Sequence, residues 1–306
     1  MNYILTTDNL SKRYRKTLAV DGLSIHIKEG SIYGFIGRNG AGKTTTLKMI
    51  SGLSTPTSGD FTLYGKNRAD AAREHLFTKV GILIEDPGLY NDMSAFANLK
   101  MKCICAGIKD DNYIKGLLEL VGLADVGKKA TRYFSMGMKK RLGIAMALIG
   151  EPSLLILDEP VNGLDPQGIY EVRETILKLN HERNITIIIS SHILEELSKI
   201  ATDYGIINEG KLVAELTSEE LNAKLESRIV IRLSDTDSAC RVLDSMGITR
   251  YAVVAPDTIH VSERLDESAV IGMALAKADI LVSAIYVEQA TLEGFFFNLT
   301  GGVNND

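Results

Sequence analysis

Eight consecutive residues, Gly37-Arg38-Asn39-Gly40-Ala41-Gly42-Lys43-Thr44, place glycines, a lysine and a hydroxyl at the spacing G-x-x-x-x-G-K-[ST]. Glycines at such positions let backbone N–H groups turn inward around phosphate oxygens. A lysine there supplies a point charge to β- and γ-phosphates, and the threonine hydroxyl can ligate Mg²⁺. The segment follows the apolar run 32–36 and opens onto residues 45–50, which read as helix, so the motif has its strand–loop–helix setting. Glycines at 37, 40 and 42 do not spell the dinucleotide pattern G-x-G-x-x-G. The expectation is a nucleoside triphosphate, held by Gly37, Asn39, Gly40, Ala41, Gly42, Lys43, Thr44 and Thr45.

A second chemical signal is Leu154-Leu155-Ile156-Leu157-Asp158-Glu159-Pro160, an apolar strand running into two carboxylates. Beside a phosphate loop this is a Walker B element. Asp158 would hold Mg²⁺, directly or through water, and Glu159 would act as general base on the attacking water.

The elements that must position these groups are also readable. Residues 32–36, 80–84, 154–157 and 186–189 have the continuous apolar character of strands buried on both faces. Helical patterns at 44–50, 136–148, 169–179 and 193–201 alternate with them. The result is an α/β fold, a P-loop NTPase core with a mainly parallel sheet and right-handed crossovers. Each strand delivers a polar group at its C-terminal end: Lys43-Thr44, Glu85, Asp158-Glu159 and His192. Ligands of open α/β sheets bind along that edge. Residues 86–133 carry amphipathic helical patterns at 94–105 and 111–121 and read as an inserted helical subdomain.

Past residue 215 the pattern changes. A helical connector (216–226, with Thr217 or Ser218 as N-cap) leads into strand 229–233, helix 237–246, strands 251–254 and 259–262, helix 267–278 and strand 280–287. That β-α-β-β-α-β order is ferredoxin-like, and a final helix is expected at 290–299. The expected domains are therefore 1–215, a linker 216–226, and an accessory domain 227–306. Dimerisation, regulation and a stabilising appendage all remain open for the last of these.

Composition narrows the class further. With 45% apolar residues in 306, a sizeable core is available. The net charge is −5 and no basic block exceeds Lys139-Lys140-Arg141, which argues against nucleic acid as a partner. No apolar run approaches the ~18 residues of a membrane span, and the N-terminal Met1-Asn2-Tyr3-Ile4-Leu5 does not read as a signal peptide. Cys103, Cys105 and Cys240 lack C-x-x-C spacing, which suggests reduced thiols in a cytosolic setting. The first two read as packing.

Between the phosphate loop and the carboxylates lies Phe134-Ser135-Met136-Gly137-Met138-Lys139-Lys140-Arg141, opening a helix that leads into the Asp158 strand. Here the chain resembles the nucleotide-binding subunit of an ATP-binding cassette (ABC) transporter, whose signature is usually Leu-Ser-Gly-Gly-Gln. Met136 and Met138 stand where that pattern has Gly and Gln. The resemblance covers residues 4–215 and implies an ATPase that works as a homodimer. Ser135 and Gly137 of one copy would then face the γ-phosphate in the other. It also implies that Asn162-Gly163-Leu164-Asp165-Pro166 is the loop crossing the dimer interface and that His192 hydrogen-bonds the γ-phosphate. Tyr14 would stack on adenine. Lys43, Glu159 and His192 are thus the expected catalytic residues, and ATP and Mg²⁺ the expected ligands.

At the end of the second strand the family usually carries Gln, whereas this chain reads Ile84-Glu85-Asp86-Pro87. An ionised Glu only accepts hydrogen bonds and adds a negative charge, which suits a position facing the metal. Thr44, Glu85 and Asp158 are accordingly the expected metal residues. Glu85, the following Pro-Gly and the C-terminal region resemble the ATPases of bacitracin-type and lantibiotic-immunity exporters. That implies export of a peptide antibiotic through a separate permease chain, with this subunit cytoplasmic and peripheral on the inner face of the membrane. A soluble non-transport cassette ATPase is the alternative, weakened by the single phosphate loop and the absence of sustained heptads.

Overall fold

The computed structural model describes residues 2–225, 227–288 and 291–300. The chain forms two compact units, Met1–Ser218 and Glu219–Asp306. The division falls inside the segment 216–226 expected as a connector, of which Glu226 lies outside the described residues.

The first unit contains two sheets. The strands, in chain order, are β1 (Tyr3–Tyr14), β2 (Thr17–Leu23), β3 (His26–Lys28), β4 (Ile32–Ile36), β5 (Ser58–Leu63), β6 (Lys66–Asn67), β7 (Val80–Leu83), β8 (Leu154–Asp158), β9 (Thr186–Ser191), β10 (Asp203–Asn208) and β11 (Lys211–Thr217). One sheet has the order β11-β10-β4-β9-β8-β7, parallel except for the edge strand β11. Every residue of β4, β8 and β9 is buried, as a strand covered on both faces requires. The second sheet is antiparallel, in the order β2-β1-β5-β6 with β3 also paired to β1. Leu5, Ile27, Phe35, Leu47, Phe61 and Ile156 belong to one buried cluster that spans both sheets.

This second sheet, and strands β10 and β11, are not anticipated from the sequence. Along β1 the period of two is broken by Asn9, which sits at φ 47, and by a register shift between Asp8 and Ser11. Its apolar residues therefore never read as a clean alternation. In β10 the sequence DYGIIN is half polar, yet its first five residues are buried because the strand pairs with β4.

Helices α1 (Lys43–Ile50), α2 (Arg68–Arg73), α3 (Ala95–Cys105), α4 (Asp111–Leu120), α5 (Met136–Ala147), α6 (Pro166–Arg183), α7 (Leu194–Ser198) and α8 (Ser218–Lys224) complete this part of the chain. Ser94 and Asp110 cap α3 and α4 with their side-chain oxygens, which sets where the helical insertion begins each turn. Helix α6 is longer than the expected 169–179. Asp165 caps it, Pro166 occupies its first turn, and Asn184 ends it in the left-handed conformation. Helix α7 is shorter than the expected 193–201. All three cysteines are free, with Cys103 buried on α3.

The second unit runs β12 (Arg228–Leu233), α9 (Thr236–Ser245), β13 (Tyr251–Ala255), β14 (Thr258–Val261), α10 (Ser268–Lys277), β15 (Val282–Glu288) and α11 (Leu292–Thr300). Its antiparallel sheet has the order β13-β14-β12-β15, the ferredoxin-like arrangement. Ile229, Ile231, Ile259 and Val261 pack with Leu243, Ile271 and Leu275 from the two helices. The final helix begins at Leu292; Ala290, where it was expected to start, and residues 301–306 lie outside the described residues. Among the described residues no helix is long and apolar enough to cross a membrane.

Candidate functional site

The C-terminal ends of β4, β7, β8 and β9 lie side by side on one sheet edge, because these strands are parallel and neighbours. The phosphate loop leaves β4 and enters α1 at Gly42, whose φ is 108. A Cβ on Gly42 would stand 2.6 Å from the Ala19 carbonyl oxygen, and one on Gly37 would stand 2.6 Å from that of Ile207. These two glycines thus answer to close backbone approach by β2 and β10 as well as to loop conformation. Arg38, Asn39 and Gly40 at the loop's tip are exposed, and Ala41 and Lys43 are buried. Thr45, on the first turn of α1, is half-buried.

The Lys43 ammonium folds back onto the loop. It donates to the Gly37 carbonyl at 2.6 Å and lies 3.2 Å from Glu159 Oε1. The other carboxylate oxygen of Glu159 meets His192 Nδ1 at 2.8 Å. Lysine, glutamate and histidine from three different strand ends therefore form one line. Glu159 adopts φ 48, an uncommon conformation for a non-glycine residue. Its N–H donates to the Ser190 carbonyl and hydroxyl at 3.1 and 3.0 Å, which holds the strained turn in place.

Beside this line, the Thr44 hydroxyl donates to Asp158 Oδ2 at 2.8 Å, and the Ser190 hydroxyl donates to Asp158 Oδ1 at 2.5 Å. A hydroxyl and a buried carboxylate at hydrogen-bond distance are oxygen donors of the kind Mg²⁺ takes. That ion uses few protein ligands and fills its octahedron with water and substrate phosphates. Among the described residues no cluster of three or more His, Cys, Asp or Glu side chains could hold a metal by itself. The donor set fits an ion that arrives with a phosphate. Nothing in the local sequence marks Ser190 as a partner of Asp158. Only the parallel pairing of β8 with β9, which sets Asp158 opposite Ser190, reveals it.

Glu85, expected as a third metal residue, is engaged elsewhere in this structure. Its carboxylate lies 2.6 Å from Lys48 Nζ and is largely exposed. No direct hydrogen bond joins it to Thr44 or Asp158 among the described residues. The hydrogen bond to Glu85 holds the Lys48 ammonium above its ordinary pKa. Lys140 on α5 reaches the Glu85 carbonyl at 3.3 Å. Tyr14, at the end of β1, is half exposed, with the Lys12 ammonium 5.1 Å from the ring centre.

The remaining expected residues sit at two helix starts. The Ser135 hydroxyl caps α5 by accepting from the Met138 N–H at 3.2 Å, and Asp165 caps α6 by accepting from the Gly168 N–H at 3.0 Å. The two helices touch where a Cβ on Gly137 would stand 3.4 Å from the Gly168 Cα.

A parallel sheet that gathers a phosphate loop, a paired hydroxyl and carboxylate, and a Lys–Glu–His line at one edge defines a P-loop nucleoside triphosphatase. The ABC transporter family model matches residues 20–162. The chain is 42% identical over 303 residues to the bacitracin transport ATP-binding protein BcrA of Bacillus licheniformis, covering 99% of both chains. It is 43% identical over 212 residues to the lantibiotic transport ATP-binding protein SrtF of Streptococcus pyogenes, covering 69% of this chain and 90% of that one. Among solved structures, CbiO1 from Clostridium perfringens, part of the ABC transporter complex CbiONQ, superimposes with a TM-score of 0.66 at 27% identity. It covers 81% of this chain and 97% of that one. The chain belongs to the ABC transporter family, as an ATP-binding subunit that hydrolyses ATP. A non-transport cassette is not favoured by these matches.

Proposed function

We propose that this subunit binds Mg²⁺-ATP between the phosphate loop of one copy and the Ser135–Gly137 segment of a second copy. Hydrolysis then drives export of a peptide antibiotic through a separate permease. The observation that carries the chemistry is Glu159, held between Lys43 and His192 beside the Thr44–Asp158 pair. Lys43 leaves the Gly37 carbonyl to meet the β- and γ-phosphates, with backbone N–H groups of residues 39–45 completing the cradle. Glu159 takes the proton of the attacking water. His192 keeps that carboxylate oriented through Nδ1 and offers Nε2 to the γ-phosphate. Thr44 and Asp158 would hold Mg²⁺, which would supply positive charge to offset the negative charge of the triphosphate. Tyr14 stacks on adenine, and Asp165 fixes the loop that crosses between copies.

The cargo class rests on the relatives named for bacitracin and lantibiotic transport, the first of which matches through the second unit as well. Function at the cytoplasmic face of the membrane follows from work with a permease. The test is expression with the neighbouring permease gene in a sensitive strain. Raised tolerance to bacitracin or to a lantibiotic is expected, and unchanged tolerance to both would sink the cargo class.

Glu85 would add a negative charge to that metal site once nucleotide binds, leaving Lys48, which lies four residues after Thr44 and so on the same face of α1. Glu85→Ala is then expected to raise the Mg²⁺ concentration for half-maximal rate about tenfold, and Glu85→Gln by less. Unaltered rate and Mg²⁺ dependence in the Ala variant would leave Glu85 a coupling or structural residue.

The helical insertion, 86–133, is the surface for the permease. At its start the Tyr90 backbone is fixed: its N–H donates to Asn98 Oδ1 at 2.8 Å, and its carbonyl accepts from Thr131 Oγ1 at 3.0 Å. The residue, however, is 56% exposed. Leu89 and Phe96 are half-buried, and Phe96 carries the Lys100 ammonium 5.8 Å from its ring centre. An exposed tyrosine on a rigid loop is suited to docking. Tyr90→Glu is expected to abolish transport and leave the isolated subunit's ATPase rate within about twofold, since surface changes rarely disturb the fold. Loss of both activities would indicate folding damage and remove the docking assignment.

A further inference from the structure

Arg141 lies on α5, six residues past Ser135, and its guanidinium has three acceptors on two other segments. Nη1 donates to the carbonyls of Val121 and Gly122, each at 2.9 Å, where α4 ends. Nη2 lies 2.9 Å from Glu171 Oε2 on α6. The other oxygen of Glu171 accepts from the Gln167 amide at 3.0 Å, which fixes the carboxylate's orientation. Gly122, at φ 66, carries no side chain where the guanidinium enters, and a Cβ there would stand 2.9 Å from Nη1.

Two features show that this is more than incidental packing. Nε of Arg141 is buried without a hydrogen-bond partner. Burial of an unsatisfied donor is unfavourable, and the three bonds made by Nη1 and Nη2 are what hold the group there. Beside the guanidinium a groove of about 630 Å³ opens between the end of α4 and α6, lined among others by Glu119, Tyr170, Glu174 and Lys178. At the guanidinium, both walls of that groove are joined by charge-assisted hydrogen bonds with the geometry of a planar fork.

We propose that Arg141 is a positioning residue. From the second turn of α5 it clamps that helix to the helical insertion on one side and to α6 on the other. Ser135 and Gly137 at the head of α5, and Asp165 at the head of α6, then present to a second copy as one rigid surface. The close approach of Gly137 to Gly168 makes the pair sensitive to any tilt between the two helices. This inference rests on the two-copy reading above.

The test uses Glu171→Gln and Arg141→Lys in the full chain, alone and combined with Glu159→Gln. Glu171→Gln keeps shape and fold and removes the charge; Arg141→Lys keeps the charge and removes the fork. In the nucleotide-free protein, amide hydrogen exchange is expected to rise about tenfold over residues 119–123 and the first turn of α5, with binding of a fluorescent ATP analogue unchanged. In the Glu159→Gln background, either change is expected to weaken the ATP-dependent dimer about tenfold. Unchanged exchange, or an unchanged dimer in both double variants, would overturn the clamp. Absence of an ATP-dependent dimer in Glu159→Gln alone would instead overturn the two-copy reading, leaving exchange to judge the clamp.

Discussion

Lys43→Ala is expected to weaken ATP binding by two to three orders of magnitude, about 3–4 kcal/mol, while the protein stays folded. Lys43 is 5% exposed and its ammonium hydrogen-bonds two carbonyls of its own loop, Gly37 and Arg38. It is therefore a desolvated charge already facing the cradle, and phosphate oxygens would replace carbonyls as its acceptors without a further desolvation cost on the protein side. Alanine removes the one lysine ammonium of the loop and leaves the phosphates, on that side, to backbone N–H groups. It also leaves Glu159 without its counter-charge at 3.2 Å, so a like charge then faces the incoming triphosphate. Titration with a fluorescent ATP analogue measures the loss, and the thermal midpoint without nucleotide reports the fold. Affinity unchanged in a folded variant would refute the phosphate-loop assignment.

Glu159→Gln should separate binding from chemistry. The amide keeps the shape of the side chain and can still meet His192, but it has no basicity with which to take a proton from water. Loss of a general base lowers rates by roughly 10²–10⁴. ATP affinity should hold or improve, because the substitution removes a negative charge near the γ-phosphate. ATP that is bound and not consumed would then keep two copies together. Size-exclusion chromatography with Mg²⁺-ATP is expected to show a dimer that disperses when nucleotide is removed. Turnover within tenfold of the parent would take the role of base away from Glu159. A strict monomer at high protein concentration would count against the paired site.

Much of the site was legible in the amino-acid sequence because its signals are local. A phosphate loop is eight adjacent residues whose backbone must bend in one way, and Asp158-Glu159 marks a strand end through the apolar run before it. Parallel strands buried on both faces read as apolar runs wherever they occur, so β4, β7, β8 and β9 were each visible without knowledge of the others. The split pattern of the second unit was legible for the same reason: its elements are short and regular and are linked by polar turns. What escaped was whatever depends on partners distant in sequence. Strand β10 is half polar in composition and is buried by its neighbour β4. The antiparallel sheet built on β1 hides behind a bulge at Asn9.

The sequence by itself determined which chemical groups this protein carries, their order along the chain, and the fold class that sets them on one edge. Tertiary structure alone decided which atoms meet. The register of β8 on β9 gives Asp158 the Ser190 hydroxyl, and the ends of three strands align Lys43, Glu159 and His192. The turn after β7 brings Glu85 to Lys48, an ion pair that the residue types alone did not indicate. Pattern and propensity are properties of neighbours in the chain. A hydrogen bond of 2.8 Å between residues 33 or 114 positions apart, as in Glu159–His192 and Thr44–Asp158, is fixed by how the strands pack.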